Sequence, residues 1–289
     1  MNSVLEETKF LMKKYNIHAN KNLGQNFLID DEAIQQIVKC SEITKNDLII
    51  EIGPGLGTLT SRLLENAGKV IAIELDDRMT KILTDRFYLY DNFELIHEDI
   101  LKVNLKELII KNKEQNKNIM QVKIVANLPY YITTPIIMKL LENKLPVQSI
   151  TVMVQKEVAD RLTATPGDKQ AGAITYCVSY YSIAKEIMLV PNSSFIPAPE
   201  VNSEVIQLEI REKPPVIIKD EAMFFKIIKT SFMQRRKTLL NGLSNGNIAS
   251  KENLKKCFQE LNLDENIRGE NLSLEQFAQL TNKLFSFTF

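Results

Sequence analysis

Leu48-Ile49-Ile50-Glu51-Ile52-Gly53-Pro54-Gly55-Leu56-Gly57 joins an apolar run to a turn with a glycine at every second position. The first five residues, apolar except for Glu51, read as a buried strand. The glycines read as a tight turn that lets a ligand lie against bare backbone before a helix opens near Leu59. The dinucleotide fingerprint GxGxxG does not fit, because the third glycine comes one residue early. A P-loop is excluded, because no Gly-Lys-Ser/Thr follows.

Outward from this turn, short apolar runs alternate with helix-period segments. Val70–Glu74, Phe93–His97, Val122–Asn127 and Ile150–Val154 read as further strands. Leu59–Glu65, Arg78–Phe87, Leu105–Lys113 and Pro135–Glu142 carry apolar residues at three-to-four spacing, the last with Thr134 as N-cap and Pro135 at the first helical position. The alternation predicts an α/β fold, a mostly parallel sheet with helices on both faces. Ile174–Tyr181 and Val205–Ile210 read as two strands forming an antiparallel hairpin at one edge. Glu212–Asp220 has linker composition. After it come three helix patterns, Phe224–Leu243, Lys251–Leu261 and Leu274–Phe285, and no strand, so a small C-terminal all-α domain is expected. Lys111–Lys117 is polar and reads as an exposed loop or a frayed helix end.

The 289 residues contain 36 Lys+Arg and 36 Asp+Glu, a formal net charge of zero. No global positive field exists to attract phosphates, so any basic patch must be local. Two histidines (His18, His97) and three dispersed cysteines (Cys40, Cys177, Cys257) argue against a zinc site or a disulfide framework. No metal is expected. No run reaches the roughly 18 apolar residues of a membrane span, and the N-terminus lacks a signal-peptide core. A soluble, cytoplasmic protein with no membrane partner is the expectation.

Two acids fall at expected strand ends. Glu74 closes the second strand and can accept from both hydroxyls of a ribose, while repelling a 2′-phosphate. Asp99 follows the third strand and can accept from an adenine amino group. Together with Gly53 and Gly55 they point to an adenosine-containing cofactor, which leaves NAD(H) and S-adenosylmethionine open. The fourth strand ends in Asn127-Leu128-Pro129-Tyr130-Tyr131, and this decides for methyl transfer to a base amine. The exocyclic amine of adenine is a poor nucleophile, its lone pair delocalised into the ring. The Asn127 side-chain oxygen and the Leu128 carbonyl can each accept one of its hydrogens and aim the nitrogen at a methyl group. Pro129 stiffens the turn, and Tyr130 offers a face for an extruded base.

With these motifs and three others the chain closely resembles the small-subunit ribosomal RNA adenine dimethyltransferases, the kasugamycin-sensitivity enzymes of bacteria and their eukaryotic relatives. The three others are Leu23–Leu28 (LGQNFL), Phe195–Ser203 (FIPAPEVNS) and Phe232–Lys237 (FMQRRK), and the Glu51–Gly57 turn matches as well. The resemblance implies a Rossmann-like class I S-adenosylmethionine-dependent methyltransferase sheet. It implies an N-terminal arm and cofactor lid over 1–30, a methyltransferase domain over 31–212 and a helical RNA-binding domain over 213–289. It implies that Asn26, Leu28, Gly53, Gly55, Glu74, Asp99 and Asn127 bind S-adenosylmethionine, with Asn26–Leu28 as the lid. It also implies dimethylation of two adjacent adenosines near the 3′ end of small-subunit ribosomal RNA and a role in small-subunit biogenesis. Phe195 would add a second aromatic against the target base.

Arg235, Arg236 and Lys237 form the densest basic cluster, on the helix expected after Phe232, and would hold RNA phosphates. Lys13, Lys14 and Lys21 would add a second patch. The family is often more basic than this chain. The expected substrate is therefore an immature small subunit rather than naked RNA, acted on by a monomer. The competing readings are a macrolide-resistance methyltransferase of large-subunit ribosomal RNA, a NAD-dependent oxidoreductase, and an assembly factor that has lost turnover. The Leu128 variant of the turn, the glycine before Gln25 and the long C-terminal region argue against the first. The glycine spacing argues against the second, and the intact Asn127–Tyr130 turn against the third.

Overall fold

The structure, a computed structural model, describes residues 3–20, 23–234 and 236–287. Lys21 and Arg235, both singled out in the sequence, lie outside the described residues. The chain divides into two compact units, residues 1–159 with 184–210, and residues 160–183 with 211–289. The sequence places 160–183 in the methyltransferase segment; the structure gathers it into the helical unit.

The first unit opens with α1 (Val4–Lys14), followed by β1 (Phe27–Leu28), α2 (Asp31–Cys40), β2 (Asp47–Ile52), α3 (Thr58–Asn66), β3 (Lys69–Glu74) and α4 (Asp77–Phe87). It continues through β4 (Phe93–His97), α5 (Leu105–Gln115), β5 (Gln121–Asn127), α6 (Thr133–Glu142), β6 (Ser149–Gln155) and the start of α7 (Lys156–Thr163). After an excursion through α8 (Ala173–Tyr181), most of β7 (Ser182–Val190), β8 (Phe195–Ile196) and β9 (Ser203–Ile210) complete it. Seven strands form one sheet in the order β4-β3-β2-β5-β6-β9-β7. The first five run parallel, and β9 lies antiparallel to β6. All six residues of β2 are buried, as expected of a central parallel strand covered on both faces. The chain winds outward from β2 to β4 on one side and from β5 to β6 on the other, so β2 and β5 flank the point where strand order reverses. Open α/β sheets bind ligands at the carboxyl ends of such strands. The Glu51–Gly57 turn and Asn127 lie at these two ends, where Ile52 pairs with Ala126.

Every strand expected in the parallel part is present, within a residue or two. The Ile174–Tyr181 strand is a misreading, since these residues form the helix α8. Their β-branched and aromatic content favours a strand, but burial overrides it. Ile174, Thr175, Tyr176, Cys177, Val178 and Tyr180 are all buried, a helix apolar nearly all round. Thr175 starts it, its hydroxyl accepting from Gly172 N (2.9 Å) and donating to the Arg161 carbonyl (2.6 Å). The strand beside β9 is β7, which follows α8. α6 begins at Thr133 rather than Pro135. Proline is tolerated there because N–H groups of the first turn have no partner within the helix.

The second unit adds α9 (Glu221–Met233), α10 (Leu239–Asn245), α11 (Lys251–Glu260) and α12 (Leu274–Phe285). Tyr176, Phe224, Phe258 and Phe277 are fully buried in it. The single helix expected over Phe224–Leu243 is two. Thr238 caps a new helix by accepting from Asn241 N (3.4 Å), and three adjacent cations just before it disfavour an uninterrupted helical face. Arg236 and Lys237 are exposed in this connection and not on a helix.

Candidate active site

A cleft opens at the carboxyl ends of β2, β3, β4 and β5. Its floor is the glycine turn. Gly53 has φ +66°, and a Cβ there would meet nothing closer than the Asn127 carbonyl oxygen and Pro129 Cδ, both at 3.9 Å. Space for a ligand against bare backbone therefore exists at this position. Gly57 serves packing instead, because a Cβ there would fall 2.7 Å from the Phe87 ring.

Glu74 is buried at the end of β3. Its Oε2 accepts from Gly55 N (3.1 Å), and its Oε1 from Leu75 N (2.8 Å) and Asp76 N (2.9 Å). Burial raises its pKa, and the three N–H donors offset part of that. These bonds tie the acid to the glycine turn. Asp99 is half-buried, its Oδ1 accepting from Leu101 N (2.9 Å). Its loop is held by Lys139 of α6, whose Nζ donates to the carbonyls of Ile100 (3.0 Å), Leu101 (2.5 Å) and Val103 (3.1 Å). Gly53, Gly55, Glu74, Asp99, Asn127, Leu128, Pro129 and Tyr130 all line the cleft, and so do Asn26 and Leu28 of the N-terminal arm.

Asn127 ends β5. Its Nδ2 donates to the Asn26 carbonyl (3.4 Å), which occupies the donor end of the amide and leaves Oδ1 as an acceptor. Leu128 N donates to the Met153 carbonyl (3.1 Å), anchoring the turn to β6. Thr133 Oγ1 donates to the Pro129 carbonyl (3.0 Å). The Tyr130 hydroxyl lies 2.5 Å from Ser203 Oγ, so β9 tethers the ring at the cleft wall. Burial raises the Tyr130 pKa, which keeps the phenol neutral.

Phe195 is not brought to the cleft. It is 3% exposed in the main apolar core and pairs across the small sheet with Leu28. A large apolar side chain at that register is worth more inside the core than on a wall open to solvent. Besides Tyr130 the cleft is lined by two other aromatic residues, the buried Phe27 and Tyr131, which is 54% exposed, with Gly24 packed close to its ring. The Phe195–Ser203 segment contributes through Ser203.

Glu51 lines the cleft, a role the sequence reading above does not give it. It is 1% exposed, and its Oε2 has no hydrogen-bond partner among the described residues. Burial pushes its carboxyl up to about 8. An orphaned carboxyl oxygen, an open glycine cradle and the carboxylates of Glu74 and Asp99, two of the further acids in the lining, suit a ligand carrying a ribose, an amino group and a cationic centre. The residues present therefore fit S-adenosylmethionine. The acid preceding the glycine turn is the signal that points to Glu51.

Residues 16–285 match the family of ribosomal RNA adenine dimethylases. The chain belongs to that family. A ribosomal RNA small subunit methyltransferase A of Clostridium acetobutylicum is 49% identical over 278 residues, covering 96% of this chain and 98% of its own. Among solved structures, a dimethyladenosine transferase from Plasmodium falciparum superposes with a TM-score of 0.73 at 26% identity, covering 88% of this chain and 95% of its own. The 23S rRNA methyltransferase ErmE superposes with a TM-score of 0.65 at 22% identity, covering 90% and 100%, and shows the shared fold. The ribosomal RNA adenine dimethylase family and this sheet are those of class I S-adenosylmethionine-dependent methyltransferases.

Proposed function

We propose that the chain transfers methyl groups from S-adenosylmethionine to the exocyclic amines of two adjacent adenosines near the 3′ end of small-subunit ribosomal RNA, in the cytoplasm and within an immature small subunit. The observation that carries this reading is the shared cleft. The Asn127 acceptor oxygen and the Leu128 residue beside it line the same space as Glu74, Asp99 and the glycine turn.

The cofactor, when bound, supplies an electrophilic methyl on a sulfonium sulfur. Glu74 accepts from the ribose hydroxyls, and Asp99 from the adenine amino group. Gly53 and Gly55 give the cofactor backbone to lie against, and Leu28 and Asn26 cover the site and exclude water. Asn127 Oδ1 and the Leu128 carbonyl each accept one hydrogen of the target amine. Their dipoles orient the nitrogen and stabilise the positive charge that develops on it. Pro129 keeps the turn rigid, and Tyr130 stacks on the base. Arg236 and Lys237, with Arg235, bind phosphates. The high identity to a small-subunit methyltransferase supports the choice of substrate. Incubation with radiolabelled methyl donor and immature small subunits, followed by nucleoside analysis, tests the proposal. Labelled dimethyladenosine is expected, and its absence contradicts it.

A further inference from the structure

The chain before β1 crosses the connection between β3 and α4, and the polar contacts at that crossing converge on one carboxylate. Gln25 is used at both ends. Its Oε1 accepts from Asn20 N (2.9 Å), and its Nε2 donates to Asp76 Oδ2 (2.8 Å). Asp76 also receives Arg78 Nε at Oδ1 (3.0 Å) and Arg78 Nη2 at Oδ2 (2.5 Å). Arg78 in turn reaches back with Nη1 to the His18 carbonyl (3.2 Å). The arm is thus held at Gln25 and at His18 by one ion pair on the rim of α4.

Two further observations give this cluster a place in cofactor handling. Asp76 N donates to Glu74 Oε1 (2.9 Å), so the residue that receives the arm also fixes the acid assigned to the ribose. Gln25 immediately precedes Asn26, and both line the cleft. Asp76 already caps α4 with its own side chain, accepting from Arg78 N (2.9 Å), and α4 does not need Gln25 for that cap. Leu11, Ile17 and Phe27 pack with Leu56, Met79 and Ile82 in an apolar cluster separate from the main core. The arm is therefore anchored on either side of the polar contacts without them. What the Gln25 bond adds is the closed position of the residues over the cleft. Burial pushes the Asp76 carboxyl up, but its bonds to Arg78 and Gln25 outweigh this and hold it below the usual range. The acceptor is thus a charged one, whose hydrogen bonds are the stronger kind.

We propose that Gln25, Asp76 and Arg78 form a latch that keeps the N-terminal arm closed over the cleft and sets how fast the adenosyl cofactor exchanges. They are positioning residues, and the proposal rests on the cofactor reading above. The test is stopped-flow displacement of S-adenosylhomocysteine from the full-length protein, alongside single-turnover methylation at saturating cofactor. Gln25→Ala and Arg78→Ala should release the nucleoside about tenfold faster or more and raise the KM for the methyl donor, and Arg78→Ala, which lies outside the cleft lining, should leave the saturated single-turnover rate unchanged. Gln25→Glu, which sets a second carboxylate against Asp76, should release it faster still. Glu74→Ala is the control for the cofactor reading. If Glu74→Ala weakens binding while Gln25→Ala releases at the wild-type rate, the latch is refuted and the cofactor site stands. If neither changes binding, the cofactor reading fails and the latch with it.

Discussion

Three of the four acidic residues lining the cleft, Glu51, Glu74 and Asp99, differ in their surroundings. Glu74 is held by three backbone donors that fix its oxygens. Glu74→Ala should weaken cofactor binding by about 1–3 kcal/mol, measured by calorimetry. Unaltered affinity would count against the ribose assignment. Asp99 is half-buried and depends on its loop. Glu51 is buried, and with a carboxyl raised from 4.5 to about 8 the folded state keeps a proton that the unfolded chain releases. The stability linked to that proton is present in full below about 4.5 and is lost as pH rises through about 8. Urea denaturation of the wild type should therefore show stability falling from pH 5 to pH 8.5 relative to Glu51→Gln, by a few kcal/mol in order of magnitude. Parallel pH profiles would refute a raised pKa. Much of the lining of the cleft was legible in the sequence because its parts are contiguous motifs: the glycine turn, the strand-end acids and Asn127–Tyr130. Contacts between distant positions were not legible. Nothing in the sequence pairs Gln25 with Asp76, or Tyr130 with Ser203, and Phe195 looks like a site aromatic until its register against Leu28 buries it.

Among the elements, the parallel strands were readable because burial on both faces demands continuous apolar runs. α8 was not, because a helix buried all round has the same composition as a strand. α1 carries a signal that can be read, the Ser3–Glu6 capping box. The break between α9 and α10 has one too, in Thr238. At the amino ends of β2 and β5, opposite the cleft, the structure buries an ion pair. Lys123 Nζ lies 3.0 Å from Asp47 Oδ2, with side chains 4% and 2% exposed, and also donates to the Glu42 carbonyl (2.6 Å). Removing one partner strands a buried charge. Asp47→Ala should destabilise the fold by about 3–5 kcal/mol, read as a shift in denaturation midpoint. A shift below about 1 kcal/mol, the range of exposed pairs, would show that the pair is not buried in solution.

At the scale of the whole molecule, a formal net charge of zero means that the proposed function needs local groups and the shape of the particle for recognition of RNA. Neutralising Arg236 and Lys237 should weaken substrate binding and reduce its salt slope by about one for each phosphate left without its cation. An unchanged slope would return them to an ordinary solvated surface. Under matched salt, immature subunits should be methylated faster than protein-free ribosomal RNA, and equal turnover would remove the role of the particle. The proposed function depends on one grip, that of the Asn127 oxygen and the Leu128 carbonyl on the amine of a flipped adenosine. The most direct measurement is the single-turnover methylation rate of Asn127→Ala on immature small subunits, with cofactor affinity determined on the same protein. The rate should fall by about 10²–10³-fold, as when other oriented dipoles are removed, while cofactor affinity changes by less than about tenfold. A variant that still forms dimethyladenosine at the wild-type rate would contradict the account.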